Sequence, residues 1–200
     1  MRKLNCNNWP EIEFIEDGHL YYVNGNNIKC VSNIVHANGL SDFSMIDPVH
    51  LQWTMARGKA IHLACELYDN GNLDESTIDD EVMPYFEGWV KYIEKEKPVF
   101  TGIERRVYSK LWQYCGTVDR ITDNTIKDIK TVNTVSGLSC KAQTALYQIA
   151  YEEETGIKIK QREVIHLVPG DYKIITYKDK SDITAVKSMV SVMNWKANNK

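Results

Sequence analysis

The chain has 200 residues, enough for one sizeable core. With 43% hydrophobic and 26% charged residues and few Pro or Gly, it is an ordinary globular composition, which excludes a collagenous, low-complexity or disordered chain. A net charge of −3 excludes a uniformly basic nucleic-acid binder, so any basic surface must be local, built from residues such as Arg105, Arg106, Lys110, Arg120, Lys127 and Lys141.

The five cysteines (Cys6, Cys30, Cys65, Cys115, Cys140) are scattered and form no C-x-x-C pair. That argues against a zinc site or a disulfide framework and for buried reduced thiols in a cytoplasmic protein. The start, Met1 to Asn8, is too polar for a signal peptide, and no apolar run is long enough to span a bilayer, so no membrane partner is expected.

Taken in order, Glu11 to Glu16, His19 to Val23 and Ile28 to Val31 are short strand patterns separated by Asp17-Gly18 and Asn24-Gly25-Asn26-Asn27. They predict a small β-hairpin layer over about 11–35. Ser32 is placed to cap a short helix that Gly39 ends. No chemistry is legible there, and isolated histidines such as His19 and His36 are more often structural or exposed than catalytic.

Helices are predicted over about 48–97. Asp47-Pro48 opens the first by the N-cap and N1 rule, and Asn70-Gly71 stops it. Trp53, Met55, Ile61 and Cys65 supply its core-facing stripe. Gly58, His62 and Glu66 recur every fourth residue on one face, a spacing that suits a metal ligand with its neighbour or a plain surface pair. Glycine inside a helix costs stability, so Gly58 hints at a close approach. A second amphipathic helix runs from about Asp80 to Glu96, with Val82, Phe86, Trp89, Val90 and Ile93 as core. Pro98 ends it.

The remaining core spans about 102–197. Ile103 to Lys110, Trp112 to Thr122 and Thr125 to Val132 predict an antiparallel meander. A helix follows from Ser136 or Ser139 to Gly156, carrying Gln143 and Tyr147 one turn apart. Gln161 to Val168 and Asp171 to Lys178 are two more strands, and about Ile183 to Trp195 is a final helix. The reading is one α+β domain over 1–200, a central mixed β-sheet with an antiparallel three-strand meander flanked by helices.

The chemistry concentrates in Gly116 to Thr131. An Asp123-Asn124 turn pairs Ile121 with Ile126 and Arg120 with Lys127, and sets Asp119 opposite Asp128. Lys130, two residues on, projects from the face of Asp128. Facing carboxylates repel unless something compensates, and a divalent cation takes carboxylate oxygens readily. Two acids, a metal and an ammonium suit phosphodiester hydrolysis. The three residues alone fit an ordinary solvated hairpin equally well. Glu104, on the preceding strand, has the alternation to reach the same face as Asp119.

Gly116-Thr117-Val118-Asp119, Asp128-Ile129-Lys130-Thr131, Gln143-x-x-x-Tyr147 and the earlier Gly58-x-x-x-His62-x-x-x-Glu66 together resemble the PD-(D/E)XK nuclease superfamily, in its RecB-like and phage-exonuclease branch. The resemblance covers roughly 18–168 and takes in Asp17-Gly18-His19-x-Tyr21. It implies a restriction-endonuclease-like fold, with Asp119 and Asp128 as metal-binding carboxylates and Lys130 as the catalytic lysine. It further implies the Ile129 main-chain carbonyl and His62 as additional metal ligands. Glu66, Glu104, Gln143 and Tyr147 would bind substrate or support the site. The cofactor implied is one or two Mg²⁺ or Mn²⁺ ions. Relatives that carry an iron–sulfur cluster use three cysteines after the core, and no cysteine follows Cys140 here, so no cluster is expected. No G-x-x-x-x-G-K-[ST] is present, so no nucleotide cofactor is expected and unwinding would need a helicase partner.

The function expected is a metal-dependent DNA exonuclease of phage recombination, replication or repair, in a bacterial or phage-infected cell. The alternatives are a structure- or sequence-specific endonuclease and a catalytically silent DNA-binding adaptor of the same fold.

Overall fold

Two sheets organise the residues described, 9–199 of a computed structural model. The polar start and Cys6 lie outside the described residues. The smaller sheet is antiparallel, with β1 (Ile12–Ile15), β2 (Leu20–Val23) and β3 (Asn26–Ile28) in that order. The four-residue turn expected at Asn24 to Asn27 is a two-residue one. Asn24 and Gly25 both adopt left-handed backbone (φ 51° and 76°), so Asn26 already pairs with Val23 and the third strand begins early. The next helix, α1 (Val31–Ala37), starts at Val31 and not after Ser32, because Asn33 Oδ1 accepts from the Cys30 N–H.

Two longer helices follow, α2 (Pro48–Asp69) and α3 (Met83–Glu96). Asp47 Oδ1 accepts from His50 N at 2.9 Å, the N-cap expected before a proline. Ile61 and Cys65 are fully buried, but Trp53 and Met55 are 42% and 58% exposed, and no residue of α2 before Ile61 is buried. Helical periodicity marks an apolar stripe without saying whether another element covers it. Gly88 lets α3 lie directly on the backbone of the last hairpin: a Cβ there would come within 2.4 Å of the Asp171 carbonyl oxygen.

The main sheet has β4 (Gly102–Ser109), β5 (Tyr114–Ile121), β6 (Thr125–Lys130), β7 (Gln161–Val168) and β8 (Asp171–Tyr177) in sequential order. All neighbours are antiparallel except β6 and β7, whose parallel pairing requires a crossover. That crossover is α4 (Gly137–Thr155), capped by Ser136, and α5 (Ser181–Asn198) closes the chain. The fold is α+β with a mixed five-stranded sheet.

Helices cover both sheet faces. Val118, Ile121 and Ile126 pack with α1, α4 and α5, whereas Ile129, Ile165 and Leu167 pack with α2 and α3. Central strands covered on both faces bury whatever they carry. Arg120 and Lys127 therefore do not form basic surface: Arg120 is 0% exposed, and Lys127 is buried in an ion pair with Glu163. Cys30, Cys65, Cys115 and Cys140 are buried free thiols. Among the described residues no helix is long and apolar enough to cross a membrane.

Candidate active site

The β5–β6 turn is the two-residue one counted from the sequence. Thr122 N donates to Thr125 O at 3.0 Å, Ile121 pairs with Ile126, and Arg120 pairs with Lys127. The ladder then stops. Continued one step, the same register sets Asp119 opposite Asp128, but there the Asp119 carboxylate takes over, with Oδ2 accepting the Ile129 N–H at 2.6 Å. On the other side β4 pairs Ile103 with Arg120 and Arg105 with Val118, skipping Glu104 and Asp119. Glu104 has a left-handed backbone (φ 45°), which breaks that ladder. Val118 and Ile121, three residues apart, both enter the same core, so β5 also loses its two-residue alternation around Asp119. Three acids from three adjacent strands thus stand in a row where the backbone has freed them.

Two helices complete the arrangement. His62, from α2, places Nδ1 3.7 Å from Asp119 Oδ2. His62, Glu104 and Asp119 each offer a ligand atom, all within 4.8 Å of one another. Oxygens and nitrogens around one Mg²⁺ or Mn²⁺ stand about 3–4 Å apart, so a small contraction would close this set on an ion. Glu104, expected only as a supporting group, belongs to this cluster, while Asp128 stands outside it and is ion-paired with Lys130 Nζ at 2.7 Å. Asp128 Oδ2 is the oxygen that takes the Lys130 ammonium, at 2.7 Å in a fully buried position. From α4, Gln143 Nε2 donates to the Tyr147 hydroxyl at 2.9 Å. Glu66 lines the same cavity one turn after His62. Gln148 instead bonds Glu152 and the Ile159 carbonyl.

The two glycines of the motifs differ. A Cβ on Gly116 would lie 2.6 Å from the Tyr147 ring and 2.9 Å from Val31, so glycine is what lets Tyr147 seat against β5. A Cβ on Gly58 would meet only Thr131 Oγ1, at an ordinary 3.5 Å, so the close approach expected there is absent.

Burial dominates the electrostatics of the acids, and the Arg120 and Lys130 cations offset it only in part. Burial pushes the Glu104 carboxyl up to about 8, with Asp119 adding and Arg120 opposing. Burial likewise raises Asp128 to about 6, with Lys130 opposing and Asp119 adding. Burial would lower Lys130, but Asp128 and Asp119 outweigh it and hold the ammonium above its usual range. Burial lowers His62, which keeps its imidazole neutral and able to bind a metal. A raised Glu104 carboxyl and a neutral His62 imidazole beside Asp119 fit a divalent cation.

Sequence reasoning missed the support beneath this row. Arg120 donates from Nε to Asp69 at 2.6 Å and from Nη1 to Glu104 at 2.9 Å and to the Asp119 carbonyl at 2.6 Å. Asp69 also accepts from Trp89 Nε1 at 3.0 Å. One signal was legible: Asp69 continues the α2 face of His62 and Glu66 by another turn. His166, on β7, is satisfied by the Val132 carbonyl at 2.7 Å.

No protein-family model matches the chain, and no curated protein matches it. Among solved structures, a candidate exonuclease from Eubacterium rectale superposes with a TM-score of 0.51 at 13% identity, over 84% of this chain and 74% of its own. The fold is nuclease-like. An alkaline exonuclease from Laribacter hongkongensis covers 74% of this chain and 92% of its own, with a TM-score of 0.43 at 13% identity. The likeness of fold rests on the first of these.

Proposed function

We propose that this protein is a metal-dependent deoxyribonuclease of the PD-(D/E)XK type, hydrolysing phosphodiester bonds from DNA ends. The observation that carries the reading is the row Glu104, Asp119 and Asp128 across three neighbouring strands, with Lys130 Nζ 2.7 Å from Asp128. Asp119, Asp128, Glu104, His62 and the Ile129 carbonyl would hold Mg²⁺ or Mn²⁺. Such an ion supplies Lewis-acid polarisation of a phosphoryl oxygen and a more acidic bound water.

The chain's own groups have separable tasks in this reading. Lys130 stays an ammonium, which suits it to bind negative charge developing on the phosphoryl oxygens and not to accept a proton. Asp128 fixes the position of that ammonium. Gln143 and Tyr147 present neutral donors to the cavity, suited to orienting a phosphate without adding charge. The exonuclease named for the Eubacterium rectale structure agrees with this reading. Its setting, DNA-end processing in phage recombination, replication or repair beside a helicase or recombination partner, rests on the resemblance of the motifs.

Digestion of end-labelled single- and double-stranded DNA with Mg²⁺ or Mn²⁺ tests the proposal. Nucleotides are expected to be released from ends, closed circular DNA is expected to survive, and Asp119→Ala and Lys130→Ala are expected to be inactive. Undiminished activity in either variant overturns the catalytic assignment. Cleavage of the closed circle makes the enzyme an endonuclease.

A further inference from the structure

The segment read as free of chemistry lines the site. The acids open into a cavity of about 710 Å³ whose wall includes Phe14, His19 and Tyr21 from the first hairpin and Met55 and Leu63 from α2. A bare phosphate or a metal with its waters has no use for such apolar surface, whereas a ligand with a flat apolar face has. We propose that this wall is a nucleobase subsite, in which the base of the nucleotide whose phosphate reaches the acids sits in the corner made by the perpendicular Phe14 and His19 rings, stacked on one and edge-to-face with the other. The proposal rests on the nuclease reading above and adds to it the recognition of an unpaired terminal base.

Two independent observations support it. First, the hairpin is fixed to the catalytic strand. The buried Tyr21 hydroxyl lies 2.8 Å from Thr117 Oγ1, two residues before Asp119, so the ring wall is tied to the strand that carries the acid. The His19 ring sits edge-on to Phe14 at 5.1 Å, and the Arg106 guanidinium lies 5.5 Å from the Phe14 ring centroid. Aromatic rings beside a basic side chain are the usual elements of single-strand binding. Second, His19 is exposed and held in left-handed backbone (φ 53°), which a residue with a Cβ adopts at a cost. Its ring hydrogen bond is a long 3.5 Å contact with the Tyr21 hydroxyl, which has the nearer partner in Thr117. The conformation belongs to the β1–β2 turn, where the His19 N–H donates to Glu16 O at 3.0 Å, and it leaves the ring on the cavity wall without a short hydrogen bond. Met55 and Leu63, 58% and 54% exposed, leave apolar surface bare beside His62.

The test uses DNA strands carrying 2-aminopurine at the terminal or at the tenth nucleotide, bound by the full chain with Ca²⁺ in place of Mn²⁺. Stacking is expected to quench the terminal probe several-fold more than the internal one. His19→Gly removes the ring and accepts the backbone conformation, and Phe14→Leu keeps the packing without the aromatic face. Both are expected to abolish the difference at unchanged Tm, and Phe14→Tyr to retain it. In turnover with Mn²⁺, an abasic terminal nucleotide is expected to raise KM by roughly 5- to 100-fold, the worth of one stacked base, with kcat little changed. Equal quenching at both positions, or quenching intact in both His19→Gly and Phe14→Leu, overturns the subsite. Terminal quenching without metal-dependent hydrolysis overturns the nuclease reading and leaves the subsite standing. Hydrolysis that ignores the missing base does the reverse.

Discussion

Glu104 and Asp119 face each other at a gap in the β4–β5 ladder, and Glu104 occupies that gap through a left-handed backbone (φ 45°). A lapsed ladder pair and a strained residue both cost stability, on the order of 1–3 kcal/mol for the backbone alone. Arg120 offsets part of that cost by binding Glu104, Asp69 and the Asp119 carbonyl from beneath. The site is held by a buried cation where backbone hydrogen bonds have been given up.

Metal binding is the first consequence. Mn²⁺ is expected to raise the Tm of the protein, since an ion bound only by the folded state stabilises it by mass action. Asp119→Asn removes a ligand of the cluster and is expected to abolish the calorimetric Mn²⁺ site. Glu104→Gln is expected to weaken it by about 10- to 100-fold. A wild-type affinity in Asp119→Asn would show that the three-residue cluster is not the site.

The pH dependence follows from the raised carboxyls. Glu104 titrates near 8 and Asp128 near 6 in the folded chain, against a usual carboxylate pKa of about 4. The folded state holds these protons more tightly, so metal-free stability is expected to fall as pH rises from about 4 through 8. Thermal melts in EDTA at pH 5 and pH 8.5 measure this, with a smaller fall expected in Glu104→Gln. Added Mn²⁺ reverses the trend, because the ion takes the place of the protons: the Tm rise it causes is expected to grow with pH. A rise that shrinks with pH would contradict the assignment of ligands.

Arg120→Met tests the support. It leaves Asp69 and Glu104 without their buried cation, a loss of about 3–5 kcal/mol when one partner of such a pair is removed. Urea denaturation is expected to show a lowered midpoint. Asp69→Asn, which keeps the hydrogen bond to Trp89, is expected to cost less.

The motif glycines give a paired test. Gly116→Ala drives a methyl into Tyr147, an overpacking cost of about 1–3 kcal/mol, and is expected to reduce DNA cleavage while Mn²⁺ binding persists. Gly58→Ala makes only an ordinary van der Waals contact with Thr131 Oγ1 and is expected to stabilise α2 by up to about 1 kcal/mol. Equal effects from the two would contradict the packing described.

Local rules acting along the chain made much of this legible. Asp47-Pro48 and Ser136 set helix starts, and Asp123-Asn124 set a turn whose register fixed which residues stand beside Asp119. Resemblance of motifs picked out Gln143 and Tyr147, and both line the cavity. Where a residue's neighbours were near in sequence, its position could be counted.

What the sequence could not decide was which apolar stripe finds a partner and which charge is buried. Trp53 and Ile61 share one periodic pattern, yet the first is exposed and the second sealed, because packing reaches only the second half of α2. Arg120 looked like surface charge until a sheet covered on both faces buried it between Asp69 and Glu104. The hairpin carrying Phe14 and His19 had no chemistry in its own residues; the Tyr21–Thr117 hydrogen bond across 96 residues and the packing of Tyr21 and Val23 against Tyr108 and Cys115 bring it to the acids. Periodicity and turn chemistry report the nearest few residues, whereas burial, pKa and the walls of a cavity are set by elements far along the chain, and only the folded structure brings those together.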